Sequence, residues 1–383
     1  MVKIAVVCDY YPPSRGGIQT HCYELTEHLM QSGHNVTVFT KKDKTRHKNH
    51  IKEVPFLNIK YLRGFSSIIF LIFYLIKFLK KEKPDIIHTH SYQPTIAAII
   101  AKKMAFSKVP IIMTSHGIVA ESTVTGRPFL YRHIFGFLTK SMEIISIKKA
   151  DFVISVDRLF EEYALKHISK NKITVISNWV NIDMFNKNNR KDEIEKLRGK
   201  DIIICCPRRL DKKNGLEYSI KAFSILNKKI QNTKLWFVGG GDYEGALRNL
   251  VKELKLENKV IFFGYKPREE MPYYMNASDI ILLTAPIGNF SFTLLESLAC
   301  GKTVIATDVG DTLDFEGIDE NVMVLCSQKE QDMAKTLEDV INEKYNTSAI
   351  QEKAVKTIRE KYSKEKVIRK IEDVYKRFLK TKA

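Results

Sequence analysis

The stretch Asp201-Ile-Ile-Ile-Cys-Cys-Pro-Arg-Arg-Leu-Asp-Lys-Lys-Asn-Gly215 decides how the chain is read. A short continuous apolar run is the pattern of a strand covered on both faces, and such strands belong to parallel sheets flanked by helices. The run empties directly into Arg208, Arg209, Lys212 and Lys213, and an amphipathic helical pattern follows over Leu216 to Asn227. In open α/β sheets, ligands bind beyond the C-terminal ends of the strands, which is where these cations fall. A cationic cluster there suits a diphosphate whose negative charge grows as it leaves. Taken alone, a solvated basic turn would read the same way.

The same alternation extends in both directions. Upstream, strand-like runs start at Lys3, His34, Asp85, Pro110, Asp151 and Lys172, with helical patterns such as Thr20 to Gln31 between them. The pattern pauses at the polar segment Asn186 to Lys200, read as a linker with a short charged helix. It resumes with strands starting at Asp201, Lys234, Lys259, Asp279 and Thr303, and with helices over Leu216 to Asn227, Tyr243 to Leu254 and Phe292 to Ala299. The expected organisation is α/β: two Rossmann-like doubly wound domains, 1–185 and 186–360, facing an interdomain cleft. A basic amphipathic C-terminal helix in 361–383 is expected to cross back to the first domain.

Composition narrows the function. With 44% apolar and 28% charged residues, a chain of 383 residues is neither disordered nor collagen-like. Lys and Arg outnumber Asp and Glu by 62 to 44, a formal net charge of +18 that favours anionic partners. No nucleic-acid recognition motif or interleaved aromatic–basic ladder accompanies that charge, so phosphate-bearing substrates and acidic membrane surfaces are the expected partners, not nucleic acid. The six cysteines form no C-x-x-C pair and the histidines complete no zinc spacing, which points to buried thiols in a reducing compartment. The N-terminus shows no signal-peptide pattern, and the apolar run Ile68 to Ile76 falls short of the roughly 20 residues a spanning helix needs. A cytoplasmic protein, touching the inner face of a membrane at most, is the expectation.

Two further segments carry chemistry. In Pro12-Pro-Ser-Arg-Gly-Gly-Ile18, Gly16 and Gly17 stand where a strand turns into a helix, so backbone amides can approach a phosphate; a tight turn without a ligand is the alternative. In Thr284-Ala-Pro-Ile-Gly-Asn-Phe-Ser-Phe-Thr-Leu-Leu-Glu-Ser-Leu-Ala-Cys-Gly301, a helix begins near Ser291 and offers free amides. Glu296 falls within it among Phe292, Leu294, Leu295 and Leu298. Either that carboxylate is buried and needs partners, such as sugar hydroxyls, or it faces solvent.

These segments, in this order, resemble the family 4 retaining nucleotide-sugar glycosyltransferases of group 1, which have the GT-B fold. The likeness extends over nearly the whole chain. It includes Gly16-Gly17 followed by His21, Asp85-Ile-Ile-His-Thr-His-Ser91, Thr114-Ser-His-Gly117, Arg209 through Gly215, Gly239-Gly-Gly-Asp242, Val260-Ile-Phe-Phe-Gly264 and Leu295-Glu-Ser-Leu-Ala-Cys-Gly301. The resemblance implies transfer of a sugar from a UDP- or GDP-sugar to a glycan or lipid-linked acceptor, as in cell-envelope polysaccharide or glycolipid synthesis. It implies that Gly16 and Gly17 hold the donor diphosphate, that His116 lies beside the donor sugar, and that Arg209 with Lys213 binds the diphosphate. By the same likeness Glu296 holds the ribose hydroxyls and the backbone around Phe263 and Tyr265 faces the base. Gly239, Gly240, Ser291, Phe292 and Thr293 are counted with the donor-binding residues. No cofactor is implied beyond the donor itself. With no Asp-x-Asp triplet in the sequence, no metal is expected on the diphosphate.

The chain departs from the family pattern at three places. Gly288 stands where a glutamate usually contacts the donor sugar, which leaves a second reading: a GT-B subunit that binds nucleotide sugar without turnover. Asn214 replaces a lysine, with Lys213 one place earlier, and Asn178-Trp-Val-Asn181 replaces the usual Asn-Gly-Val-Asp. His21, His88 and His90 read as packing or hydrogen-bonding residues, not bases. Two segments could meet a membrane. Phe65 to Leu79 reads equally as a buried helix, whereas Arg127 to Lys149 mixes Phe129, Leu130, Ile134, Phe135, Phe137 and Leu138 with Arg132, Lys140, Lys148 and Lys149, as an anionic interface requires.

Overall fold

A computed structural model describes residues 1–14, 16–42, 50–56, 63–118, 129–285, 291–309 and 317–379, with backbone alone for 63–65 and 129–135. The chain forms two compact units, Met1–Ser177 with Ile368–Ala383, and Asn178–Val367.

In the first unit, the described strands are β1 (Lys3–Cys8), β2 (Asn35–Lys41), β3 (Ile51–Val54), β4 (Ile86–His90), β5 (Ile111–Ser115), β6 (Phe152–Ser155) and β7 (Ile173–Val175). They form one sheet in the order β3-β2-β1-β4-β5-β6-β7, with every pairing parallel. β1 lies between β2 and β4, so the strand order reverses there. A doubly wound sheet opens a crevice at such a point. β4 and β5 are buried along their whole length because helices cover both faces. Leu71, Leu75 and Leu79 of the helix Arg63–Glu82 pack with Ala97 and Ala101 of the helix Tyr92–Met104 onto Val7, Ile87 and Ile111. The first of these helices is therefore apolar on a buried face and also on part of its exposed one, where Ile69, Phe73 and Tyr74 meet solvent.

The second unit contains β8 (Ile202–Cys206), β9 (Thr233–Phe237), β10 (Val260–Phe262), β11 (Ile280–Leu283), β12 (Thr303–Thr307) and β13 (Val324–Cys326). They form a second parallel sheet, ordered β10-β9-β8-β11-β12-β13, and its reversal lies between β8 and β11. Ile204, Leu235, Leu282 and Ile305 join Leu216, Ile220 and Phe223 of the helix Leu216–Asn227 in its core. The chain enters this unit before the charged stretch that the sequence marks as a linker. Trp179, Val180 and Phe185 are buried, and backbone bonds from Val180 N to Tyr362 O (2.9 Å) and from Lys364 N to Val180 O (3.0 Å) stitch the segment down. This gives Asn178-Trp-Val-Asn181 a structural role.

The helix Lys364–Leu379 returns to the first unit from Ile368 onward. There the Tyr375 hydroxyl meets His88 Nδ1 at 2.6 Å, and the Phe378 ring stands edge-on to Phe152 with centroids 6.0 Å apart. Among the described residues no helix is long and apolar enough to cross a membrane. All six cysteines are free and buried.

Candidate active site

At the C-terminal edge of the second sheet, loops from neighbouring strands are laced together through their backbones. After β8, Leu210 N donates to Gly240 O (3.1 Å); after β9, Gly239 N donates to Gly264 O (3.0 Å), beyond β10. Gly239 has φ +153°, and a Cβ there would overlap the Arg208 carbonyl oxygen. Only glycine permits so close an approach with that backbone. Asn214 is buried, donates its amide to Arg209 O at 2.7 Å, and accepts at its own carbonyl from Thr284 Oγ1 at 3.2 Å. The departure at 214 is thus a scaffold residue that joins the ends of β8 and β11.

On this frame Arg209 is largely exposed and pairs with Asp211, Nη2 to Oδ2 at 2.6 Å, while Lys213 points outward in a 3-10 turn over Lys212–Asn214. Arg208 is half-buried, and burial of its guanidinium pulls its pKa down to about 10, which still leaves it charged at neutral pH. Tyr265 is 46% exposed. Phe263 turns inward, its ring 5.0 Å from those of Trp236 and Tyr274 and its amide bonded to Phe237 O.

The helix Phe292–Ala299 is capped by Ser291, whose hydroxyl accepts from Leu294 N at 3.4 Å. Its first-turn amides have no acceptor within the helix, so the end attracts anions. Glu296 is buried, and one of its partners is Arg268, which gives two hydrogen bonds to Oε1. The Arg268 guanidinium also lies 5.4 Å from the ring centres of Phe185 and Phe292. Aromatic faces favour a cation at such distances. Of the two sequence readings of Glu296, burial with partners is the observed one, and an arginine is among those partners.

In the first unit, Gly16 caps the helix Gly17–Gln31 with φ 147°, so the helix begins at the glycine pair read as an anion site. Asp9, just past β1, accepts from Ser91 Oγ at 3.1 Å and pairs with Lys41 Nζ at 2.9 Å, which ties together the ends of β1, β2 and β4. His116 follows β5 and is half-buried; its Nε2 lies 3.3 Å from His90 Nδ1. His88 is hydrogen-bonded at both ring nitrogens, to Tyr375 Oη and Thr114 Oγ1 (2.7 Å), and burial pulls its pKa down to about 3. It is a buried hydrogen-bonding residue.

Comparison with known proteins names this arrangement. Residues 15–184 match the model of Glycosyltransferase Family 4 and residues 187–362 that of Glycosyl transferases group 1. This chain is a family 4, group 1 glycosyltransferase. An uncharacterized glycosyltransferase of Methanocaldococcus jannaschii is 24% identical to it, with 98% of each chain covered. The UDP-Gal:alpha-D-GlcNAc-diphosphoundecaprenol alpha-1,3-galactosyltransferase of Escherichia coli is 29% identical over 66% of this chain and 64% of its own. Among solved structures, sucrose-phosphate synthase from Thermosynechococcus elongatus superposes with a TM-score of 0.83 at 19% identity over all of both chains. The fold is GT-B.

Within this glycosyltransferase the second unit brings Arg209, Lys213, Gly239, Gly240 and Tyr265 to one sheet edge, with Asn214 and Thr284 linking the ends of β8 and β11 there. Ser291, Phe292, Thr293 and Glu296 share the helix that follows β11. Gly288 lies outside the described residues, as do Arg127 and the side chains of Phe129, Leu130, Arg132, Ile134 and Phe135. Sequence reasoning missed Arg268 and Asp211. The sequence shows that a buried Glu296 would need partners, but nothing in it singles out Arg268.

Proposed function

We propose that this glycosyltransferase moves a hexosyl group from a UDP- or GDP-sugar to a lipid-linked or glycan acceptor, retains the donor's anomeric configuration, and needs no metal on the diphosphate. The observation that carries this reading is the edge of the second sheet, where Arg209 and Lys213 stand exposed on loops held by Gly239, Gly240 and Asn214. Breaking a glycosyl–phosphate bond leaves oxocarbenium character on the sugar and adds negative charge to the diphosphate. Cations and helix amides fixed in advance stabilise that charge without having to reorganise. Arg209 then exchanges Asp211 for phosphate oxygens, and the pair Glu296–Arg268 offers a carboxylate for ribose hydroxyls. Gly16 and Gly17 remain the proposed first-unit contact to phosphate, and His116 the proposed contact to the transferred sugar. The donor's own phosphate serves as the base for the acceptor hydroxyl.

The E. coli relative acts on a polyprenyl-diphosphate sugar, which supports an acceptor of that class. Work at the cytoplasmic face of an anionic membrane accords with the net charge of +18 and with exposed Phe137, Leu138, Lys140, Lys148 and Lys149 on the helix Phe129–Lys149.

The test is transfer from a panel of UDP- and GDP-hexoses to a short-chain polyprenyl-diphosphate sugar in the presence of EDTA, with the product anomer read by NMR. Transfer with the donor's configuration kept is expected. An inverted product, loss of activity in EDTA, or donor binding without turnover would each overturn a separate part of the reading.

A further inference from the structure

We propose that His21, His90 and His116 form a three-histidine site for a borderline-soft divalent metal of the Zn(II) type. One candidate ligand atom from each lies within 4.8 Å of the others. The sequence hides the site because its members come from three elements: the helix Gly17–Gln31, β4 and the turn after β5. The strand reversal at β1 and β4 gathers them at one end of the sheet.

The geometry fits the metal. His90 Nδ1 and His116 Nε2 stand 3.3 Å apart, about the edge of a tetrahedron of Zn–N bonds of roughly 2.0–2.1 Å. Rings radiating from such an ion have centres about 5.2 Å apart, by the same bond length plus the ring radius. The observed centre separations are 5.4 Å for His21–His90, 4.6 Å for His21–His116 and 5.5 Å for His90–His116. The longest nitrogen–nitrogen edge need shorten by no more than about 1.4 Å, within reach of side-chain rotation.

The chemistry fits too. The donors such an ion takes are neutral imidazole nitrogens, and three of them meet here. His88, its ring 4.4 Å from that of His90, has both nitrogens engaged and stands outside the ligand set. Three imidazoles without a carboxylate favour Zn(II), Co(II) or Ni(II) over Mg(II). His116 is half-buried, which leaves the fourth position open to a water molecule or solute.

Metal binding stands independently of any reaction. Inhibition by Zn(II) follows only if His116 serves sugar transfer, as proposed above, so the two claims fail separately. Co(II) titration of the full chain reads the site directly: one equivalent should bind with the visible d–d intensity of tetrahedral coordination, be displaced by Zn(II), and ignore millimolar Mg(II). His116→Ala and His21→Gln should each weaken Zn(II) by at least about 10-fold, the scale of losing even a partner behind a ligand. His167→Ala should change nothing, and circular dichroism should show each variant folded. Binding of less than one equivalent, octahedral-intensity spectra, or affinity that survives both cluster substitutions in folded protein would overturn the site.

Discussion

Arg268 directs Nε at 3.0 Å and Nη2 at 2.7 Å to a single oxygen of Glu296, Oε1. The Glu296 side chain is 8% exposed and that of Arg268 is 22% exposed, so this pair neutralises two largely buried charges. Breaking a buried pair from one side leaves an uncompensated charge and costs about 3–5 kcal/mol when burial is complete. Arg268→Ala and Glu296→Ala should each destabilise the protein by about 2–4 kcal/mol, while the double variant should lose clearly less than their sum. Urea unfolding of the four proteins gives the coupling, and a value under about 0.5 kcal/mol would show that the pair contributes nothing special.

The ion pair between Arg209 and Asp211 makes a prediction of opposite sign. Asp211 occupies the guanidinium proposed to meet the diphosphate and adds a negative charge beside it. Asp211→Asn should therefore tighten UDP binding by a few fold, an effect of under about 1 kcal/mol because the pair is exposed. Arg209→Ala should weaken UDP at least about 10-fold while leaving stability within about 0.5 kcal/mol. Calorimetric titration at two salt concentrations tests both, and an unchanged Kd in Arg209→Ala would remove this side chain from the site.

Gly239 and Gly245 should answer alanine in opposite ways. At Gly239 a Cβ would collide with the Arg208 carbonyl oxygen in a left-handed conformation, whereas at Gly245 nothing lies within 4 Å. Gly239→Ala should cost more than about 2 kcal/mol and impair donor binding, since the loop carrying Arg208 and Arg209 must shift. Gly245→Ala, within the helix Glu244–Glu253, should gain up to about 1 kcal/mol. Thermal melts with UDP titrations separate the two, and equal behaviour would mean that the contact with Arg208 is relaxed.

The fold was legible because local pattern and burial agree. Continuous runs such as Ile202–Cys206 and Ile280–Leu283 must be covered on both faces, and the structure buries them on both. Glycines and cations at strand ends were equally readable, since a turn's chemistry is local. Long-range partnerships were not. Nothing near Glu296 in sequence specifies Arg268, 28 residues away. Nothing near His90 specifies His21 or His116, because strand order decides which ends become neighbours. The role of Asn214 was hidden for a related reason. In sequence it is only a departure from the family's lysine, and the structure shows its amide holding the Arg209 carbonyl.

Tyr375 and His88 test how the C-terminal helix is held on the first unit. The 2.6 Å bond between them is fully buried, and Tyr375→Phe would leave His88 Nδ1 without its partner. An orphaned buried polar group costs about 1–3 kcal/mol. Tyr375→Phe should therefore lower stability by that amount and raise amide exchange in the helix Lys364–Leu379, with lesser effects in the helix Leu216–Asn227. A variant as stable as the parent would show that water replaces the hydroxyl at no cost.

The proposed membrane contact would fall on two helices of the first unit. On Arg63–Glu82, Ile69, Phe73, Lys77 and Lys80 are exposed at spacings of three or four residues and so form one ridge, apolar at one end and cationic at the other. On Phe129–Lys149, Phe137 is 72% exposed near Lys140. Lysines near an anionic surface contribute about 1 kcal/mol each, and that attraction fades with salt, whereas inserted aromatic rings hold at any ionic strength. Phe73→Asp and Phe137→Asp should thus weaken binding to phosphatidylglycerol vesicles at both low and high salt, and Lys77→Glu with Lys80→Glu only at low salt. Cosedimentation across a salt series distinguishes the two terms, and binding indifferent to all four substitutions would place the acceptor's membrane against some other surface.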